Sequence, residues 1–145
     1  MLRGIHPLLS PDLLHALASM GHGDRIAVVD ANFPAVSNAR RLITLPGITA
    51  PAALEAILSV LPVDDFEPHP LSVMQVVGDP AMIPEAVREF NVILTSNDLA
   101  PPARLDRHAF YRATSEAFAV VQTGERRFYG NILITKGVLP PDEPQ

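Results

Sequence analysis

A histidine between two glycines is the part of this chain best suited to moving a proton. It lies in the segment Gly21-His22-Gly23-Asp24, where the glycines let the backbone turn sharply and leave the imidazole uncovered. Histidine is the side chain whose ordinary pKa lies near neutrality, so it can donate and accept protons at cellular pH. We predict that His22 is an acid–base residue whose ring is oriented by Asp24 or Asp30. The alternative is a helix end that leads into a strand, with His22 merely exposed, and the spacing alone supports both equally.

Two further segments carry clustered polar groups, and the first of them offers a suitable set for binding hydroxyls. Residues 30–34 end a predicted strand with Asp30, an amide and an aromatic ring. Residues 124–131 place Tyr129 and Asn131 around Gly130 at the start of another strand. Taken singly, the first segment is equally well explained as an Asx turn and the second is better explained as a hairpin turn.

The remaining sequence does not indicate a metal or a cofactor. The other histidines are His6, His15, His69 and His108, and none has the spacing of a metal-ligand pair. The chain has no cysteine, no glycine-rich phosphate-binding motif and no nucleophile elbow, and its single lysine is Lys136. We therefore expect chemistry that needs neither metal nor cofactor.

The elements that must position these residues alternate between helix and strand. Asp30 ends a continuous apolar strand, at the point where ligands bind in open α/β sheets. Ser10 and Asp106 are predicted to cap helices, and Gly21 to end one in a left-handed conformation. Helices are predicted over 11–20, 51–61, 84–94 and from 106. Strands are predicted over 25–30, 42–45, 71–77, 117–123 and 131–135, with a loop at 95–103 and a turn at Gly124-Glu125 before the last strand.

This alternation predicts one α/β domain with three layers, α/β/α, around a mixed sheet over residues 1–138. Residues 139–145 are proline-rich and acidic, and are predicted to form a flexible tail. The net charge is −5, with acids and bases intermixed, which argues against binding nucleic acid. We expect no membrane segment, since no apolar run approaches ~20 residues. The absence of cysteine and of a secretory signal pattern predicts a cytoplasmic protein.

Taken together, the motifs of this chain resemble those of the RbsD/FucU family of L-fucose mutarotases and D-ribose pyranases. The resemblance extends from Ile5 to Val138. It rests on five separated motifs in order: Met20-Gly-His-Gly-Asp24, Asp30-Ala-Asn-Phe-Pro-Ala35, Arg107 with Phe110-Tyr111, Thr123-Gly-Glu-Arg126 and Tyr129-Gly-Asn131.

The resemblance implies a fold like that of RbsD and a role for each matching residue. The proton-transferring histidine of the family falls on His22. The sugar-binding positions fall on Asp30, Arg107, Tyr129, Gly130 and Asn131. The resemblance also implies a ring-shaped homo-oligomer, a decamer, in which neighbouring subunits help to complete each site. The implied partner is a free monosaccharide.

Within the family, Arg107 and Gly130 resemble the fucose branch, because ribose pyranases typically have histidine and alanine there. Asn32 and Val36 depart from that branch, in which both positions are often histidine. The predicted function is therefore cofactor-free interconversion of the anomers of a monosaccharide, L-fucose first, by ring opening and reclosure. The alternatives are a D-ribose pyranase and a non-catalytic sugar-binding accessory protein of sugar uptake. An exposed His22 argues against the sugar-binding accessory protein, since a protein that only binds a sugar needs no group that titrates near pH 7.

Overall fold

The computed structural model describes residues 2–143, which form a six-stranded sheet with helices on both faces. The strands are β1 (Arg25–Val29), β2 (Leu42–Leu45), β3 (Leu71–Met74), β4 (Ala103–Leu105), β5 (Ala119–Thr123) and β6 (Ile132–Thr135). The helices are α1 (Pro11–Ser19), α2 (Ala35–Asn38), α3 (Ala50–Leu58), α4 (Glu85–Ser96) and α5 (Arg107–Glu116). The predicted mixed α/β architecture is confirmed.

One strand runs against all the others. The strand order is β2-β5-β1-β6-β3-β4. β1 pairs in parallel with β5 and antiparallel with β6, so that Ala27 lies between Val120 and Leu133. β3 also pairs antiparallel with β6, whereas β2 and β4 are parallel to their neighbours β5 and β3. The carboxyl ends of five strands therefore share one edge of the sheet with the amino end of β6.

The hydrophobic core fills both faces of this sheet. On one face, Ile26 and Val28 of β1 pack in a cluster with apolar residues of α1, α3 and α4. On the other face, Ala27 and Val29 pack in a cluster with residues of α2 and α5, including Phe110. β1 is thus buried on both sides, as its continuous apolar sequence predicts. The two clusters join the sheet to the helices on each of its faces, which gives three layers, α/β/α.

Polar side chains cap the amino ends of three helices, and two of these caps, Ser10 and Asp106, are predicted from the sequence. The Ser10 hydroxyl accepts the backbone N–H of Leu13 at 3.3 Å, at the start of α1. Thr49 caps α3 in the same way, so that α3 begins at Ala50 rather than Pro51. The Asp106 carboxylate accepts the N–H of Ala109 at 2.9 Å and starts α5. Each cap satisfies a backbone donor that the first helical turn leaves free.

The structure corrects several of the sequence-based boundaries. Helix α1 ends at Ser19 and is followed by Met20 in an extended conformation, and the left-handed glycine of this segment is Gly23, with φ of 83°, rather than Gly21. β3 stops at Met74, before Val77. The predicted loop at 95–103 contains the end of α4 and the start of β4.

The last two strands do not form a hairpin, which corrects the expectation of a simple turn between them. β1 lies between β5 and β6, so residues 124–131 cross over its carboxyl end. At the far end of the chain, residues 139–143 are exposed, and Pro144 and Gln145 lie outside the described residues. Within residues 2–143, none of the helices has the length and apolar character required to cross a membrane. The single-domain boundary and the flexible tail stay predictions.

Candidate functional site

The shared edge of the sheet holds a cavity of about 400 Å³. Its polar lining comes from Asp30, Asn32, Arg107, Tyr129 and Asn131. Asp30 follows β1, Arg107 begins α5 after β4, and Asn131 precedes β6. The antiparallel direction of β6 therefore brings residue 131 beside residue 30. Ligand sites in proteins commonly have this size.

Asp30 and Asn131 are the buried polar groups of the cavity, with 4% and 3% of their surfaces exposed. The backbone N–H of Asp30 donates to Oδ1 of Asn131 at 2.9 Å, and the Asp30 carboxylate accepts the N–H of Asn32 at 3.0 Å. Burial raises the pKa of Asp30 above its usual value, although hydrogen bonds from Asn32 and Asn131 act in the opposite direction. A carboxyl group in this setting can accept a hydroxyl proton in a hydrogen bond and is easier to protonate than an exposed one.

Aromatic rings form the apolar wall of the cavity. Phe33 packs edge-on against Tyr111, with ring centroids 5.2 Å apart, and against Phe110 at 6.1 Å. Phe128 also lines the cavity but is 75% exposed. A sugar ring has apolar C–H faces as well as hydroxyls, so a cavity with aromatic and polar sides suits both.

Tyr129 is held in an uncommon backbone conformation, with φ of 60°. Its hydroxyl accepts the backbone N–H of Val77 at 3.1 Å, which links the crossover to the segment after β3. The next residue must be small, because a Cβ at Gly130 would lie 2.7 Å from Cγ of Glu125 and 3.5 Å from Cβ of Asp30. Gly130 thus allows Tyr129 and Asn131 to reach the cavity on either side of it.

An ion pair inside the crossover fixes its course. The carboxylate of Glu125, which is buried, accepts hydrogen bonds from Nε and Nη2 of Arg127, both at 2.9 Å. Nη1 of Arg127 also donates to Glu85 and Glu89 of α4. The Arg127 guanidinium lowers the pKa of Glu125 to about 2, despite the opposing effect of burial. This pair was not predicted from the sequence, although Glu125 lies in one of the motifs that carry the family resemblance.

His22 does not line this cavity. It precedes β1, whereas Asp30 follows it, and the intervening strand separates the two backbones by ~20 Å. The N–H of Gly23 donates to the carbonyl of Lys136 at 2.9 Å, which ties His22 to the far end of β6. The structure therefore brings together Asp30, Arg107, Tyr129 and Asn131, and leaves His22 at the opposite edge of the same chain.

The carboxylate that contacts the imidazole is Asp64, which corrects the expectation that Asp24 or Asp30 orients the ring. Nε2 of His22 lies 2.9 Å from Oδ1 of Asp64, and Phe66 packs against the ring with centroids 5.3 Å apart. Asp24 instead accepts the backbone N–H of Gly21 at 2.8 Å. No spacing signal reveals Asp64, since it follows His22 by 42 positions.

The environment of Asp64 favours its ionised form. Burial raises the pKa of Asp64, but hydrogen bonds from His22 and from the backbone of Glu67 and Phe66 outweigh that effect, so the pKa lies below its usual value. The side chain of His22 is 46% exposed, so its ring remains accessible. Within residues 2–143, no group of three or more histidine or acidic side chains is arranged to hold a metal ion.

The chain is similar to known proteins over almost its whole length. A sequence model of the RbsD / FucU transport protein family matches residues 3–139. The L-fucose mutarotase of Histophilus somni (strain 2336) is 41% identical over 142 residues, which cover 97% of this chain and 99% of that protein. The L-fucose mutarotase of Glaesserella parasuis serovar 5 (strain SH0165) is 45% identical over 142 residues, 97% of each chain. The fucose mutarotase of Streptococcus pneumoniae, solved in complex with L-fucose, superposes with a TM-score of 0.91 at 35% identity, over 96% of this chain and all of that one.

Proposed function

Because the chain belongs to the RbsD/FucU family, we propose that it is an isomerase that interconverts the α and β anomers of L-fucose. The observation that carries this proposal is the cavity at the sheet edge, where a carboxyl group, two amides, two phenols and a guanidinium converge. Relatives that match almost the whole chain are L-fucose mutarotases. The cytoplasmic location expected from the sequence stays a prediction.

Interconversion of anomers requires only proton transfers. A base removes the proton of the anomeric hydroxyl while an acid protonates the ring oxygen, and the bond between C1 and that oxygen breaks. Rotation about C1–C2 followed by the reverse steps yields the other anomer, with no change in oxidation state. A positioned acid or base contributes ~10²–10⁴-fold to such a step. We assign the acid–base role to His22.

The binding residues have distinct capacities toward hydroxyl groups. Asp30 accepts hydrogen bonds, Asn131 can donate and accept, and the Tyr129 phenol can do both. Arg107 supplies several donors in a fixed plane, which suits a hydroxyl oxygen or a developing negative charge. The family resemblance also implies a sugar-binding role for Gly130, through its backbone. Together these groups hold the ring while C1 and the ring oxygen exchange protons.

We further propose that each site is completed by a second copy of the chain, because His22 and Asp30 lie at opposite edges of one subunit. In this arrangement the partner subunit's His22 enters the cavity that Asp30 lines. Exposed aromatic side chains occur beside both halves, Phe66 at 73% near His22 and Phe128 at 75% in the cavity. Aromatic side chains are enriched in protein–protein interfaces relative to the rest of the surface. A homodecameric ring, implied by the family resemblance, is the assembly we propose.

The direct test is anomer exchange measured by saturation-transfer NMR on the anomeric protons of L-fucose. We expect the wild-type protein to accelerate exchange and His22→Ala to lose at least ~100-fold of that acceleration. His15→Ala is the matched control, since His15 is exposed on α1 and lies outside both halves of the site. A wild-type protein that binds L-fucose without accelerating exchange would instead support a sugar-binding accessory protein. An unchanged rate in His22→Ala would refute the acid–base assignment.

A further inference from the structure

We propose that Asp64 is a positioning residue that fixes the tautomer of His22, so that Nδ1 is the atom that exchanges protons with the sugar. This inference rests on the proposed function of His22 and names the carboxylate through which the ring is controlled. Asp64 is not expected to touch the sugar, because it is buried behind the imidazole.

The backbone of Asp64 is anchored to the sheet. Its N–H donates to the carbonyl of Thr135 at 3.0 Å, and Val63 forms an isolated bridge with Lys136. The two segments approach so closely that a Cβ at Gly137 would lie 2.7 Å from the carbonyl oxygen of Val63 and 2.9 Å from Cα of Asp64. Asp64 therefore reaches His22 from a rigid position beside the end of β6.

The carboxylate is fixed at both oxygens. Oδ2 accepts the backbone N–H of Glu67 at 3.1 Å, while Oδ1 lies 2.9 Å from Nε2 of His22. Only 3% of Asp64 is exposed, so water does not compete with the imidazole for Oδ1. A side chain held in this way has little freedom to turn away from the ring.

The chemistry of the pair determines which ring nitrogen reacts. An ionised carboxylate only accepts hydrogen bonds, so the nitrogen facing it, Nε2, must carry a hydrogen. In the neutral imidazole, Nδ1 then holds the lone pair and accepts the proton removed from the anomeric hydroxyl. When Nδ1 is protonated, the positive charge on the ring is stabilised by the negative charge on Asp64. The protonated ring then returns this proton from Nδ1 to the ring oxygen of the sugar as the bond between C1 and that oxygen breaks, so one imidazole acts first as the base and then as the acid.

Asp64→Asn tests this role with little change in shape. The amide can donate to Nε2, which favours the Nδ1–H tautomer and removes the lone pair from the reacting nitrogen. We expect kcat for L-fucose anomer exchange to fall about 10- to 100-fold, while KM changes by less than about 2-fold. Asp65→Asn is the matched control, because the neighbouring Asp65 is exposed and carries the same charge. We expect it to leave both constants unchanged.

The second measurement is the tautomer itself, read from ¹⁵N chemical shifts in solid-state NMR of protein labelled at histidine. The His22 signals are assigned by their absence from His22→Ala. We expect Nε2–H in the wild-type protein and a shift toward Nδ1–H in Asp64→Asn. An Nδ1–H tautomer in the wild type overturns the proposal, and so does a wild-type rate in Asp64→Asn.

The tautomer measurement separates this inference from the proposed function. If the wild-type protein does not exchange anomers, the proposed function fails while the tautomer still reports whether Asp64 controls the ring. If Asp64→Asn does not fold, the wild-type tautomer decides the question by itself.

Discussion

Replacing Glu125 with glutamine removes the negative charge that Arg127 pairs with inside the crossover. The carboxylate is buried and accepts two side-chain hydrogen bonds from the guanidinium, which hold its pKa at about 2. The ordinary value is 4.5. Because the pKa is lower in the folded state, ionisation of Glu125 stabilises the fold.

The size of this stabilisation follows from the shift. Each pKa unit corresponds to ~1.4 kcal/mol, so the ionised carboxylate contributes about 3 kcal/mol to the free energy of unfolding. The contribution is complete above about pH 5 and is lost as the pH falls through about 2, where the folded protein takes up the proton. Between pH 7 and pH 2, the wild-type protein therefore loses about 3 kcal/mol more stability than Glu125→Gln.

Urea unfolding followed by circular dichroism, at pH values from 7 to 2 and at one protomer concentration, measures this difference. Glu55→Gln is the matched control, since Glu55 is exposed on α3, and it should follow the wild-type curve. We expect Glu125→Gln to be less stable than wild type at pH 7 and to approach it near pH 2. A stability difference that stays constant over the whole range would refute the ion-pair explanation, and would leave only the shape of the side chain as the cause.

Two further predictions concern assembly and substrate. Light scattering is expected to give a mass several times 15.7 kDa. We expect His22→Ala and Asp30→Asn each to be inactive alone, and to regain part of the exchange activity when they are dissociated and reassembled together. Some sites in the mixed assembly then combine His22 from one variant with Asp30 from the other. A monomer at micromolar concentration, or no recovery on mixing, contradicts a site shared between subunits. Exchange rates compared side by side are expected to be higher for L-fucose than for D-ribose, L-rhamnose or D-galactose, and a clear preference for D-ribose would contradict the branch assignment from Arg107.

Of Asn32 and Val36, the two residues that depart from the fucose branch, only Asn32 can contact a sugar in the cavity of its own subunit. Asn32 lines the cavity and can still donate and accept hydrogen bonds. Val36 lies on α2 with 80% of its surface exposed and is not among the residues that line the cavity. Within one subunit, having valine rather than histidine at position 36 therefore removes no hydrogen-bonding group from the cavity.

Elements with strong local signals were predictable from the sequence. Ser10 before Pro11 marks the start of α1, and the uninterrupted apolar residues of β1 indicate a strand covered on both faces. The missed elements are short: α2 has four residues and β4 has three. Such lengths carry too little periodicity to separate a helix or a strand from a loop.

The relations between distant segments were not predictable from local patterns. Nothing in residues 119–135 indicates that β1 separates β5 from β6, because strand order depends on pairing across the whole chain. The contact between His22 and Asp64 depends on how the segment after α3 meets the end of β6. Four of the residues to which the family resemblance assigns sugar binding, Asp30, Arg107, Tyr129 and Asn131, line one cavity, and their role stays a prediction. The position of His22 at the opposite edge of the subunit could be seen only in the three-dimensional structure.

The position of β6 has a consequence for how this protein is made. The middle of the sheet is built from both ends of the chain, since Ala27 pairs with a residue roughly a hundred positions later. During synthesis, β1 leaves the ribosome long before either of its neighbouring strands exists, and the hydrogen-bonding groups along its two sides stay without β5 and β6 until residue 135 has emerged. Folding must therefore wait for nearly the whole chain, and the nascent protein depends on protection from aggregation throughout that interval.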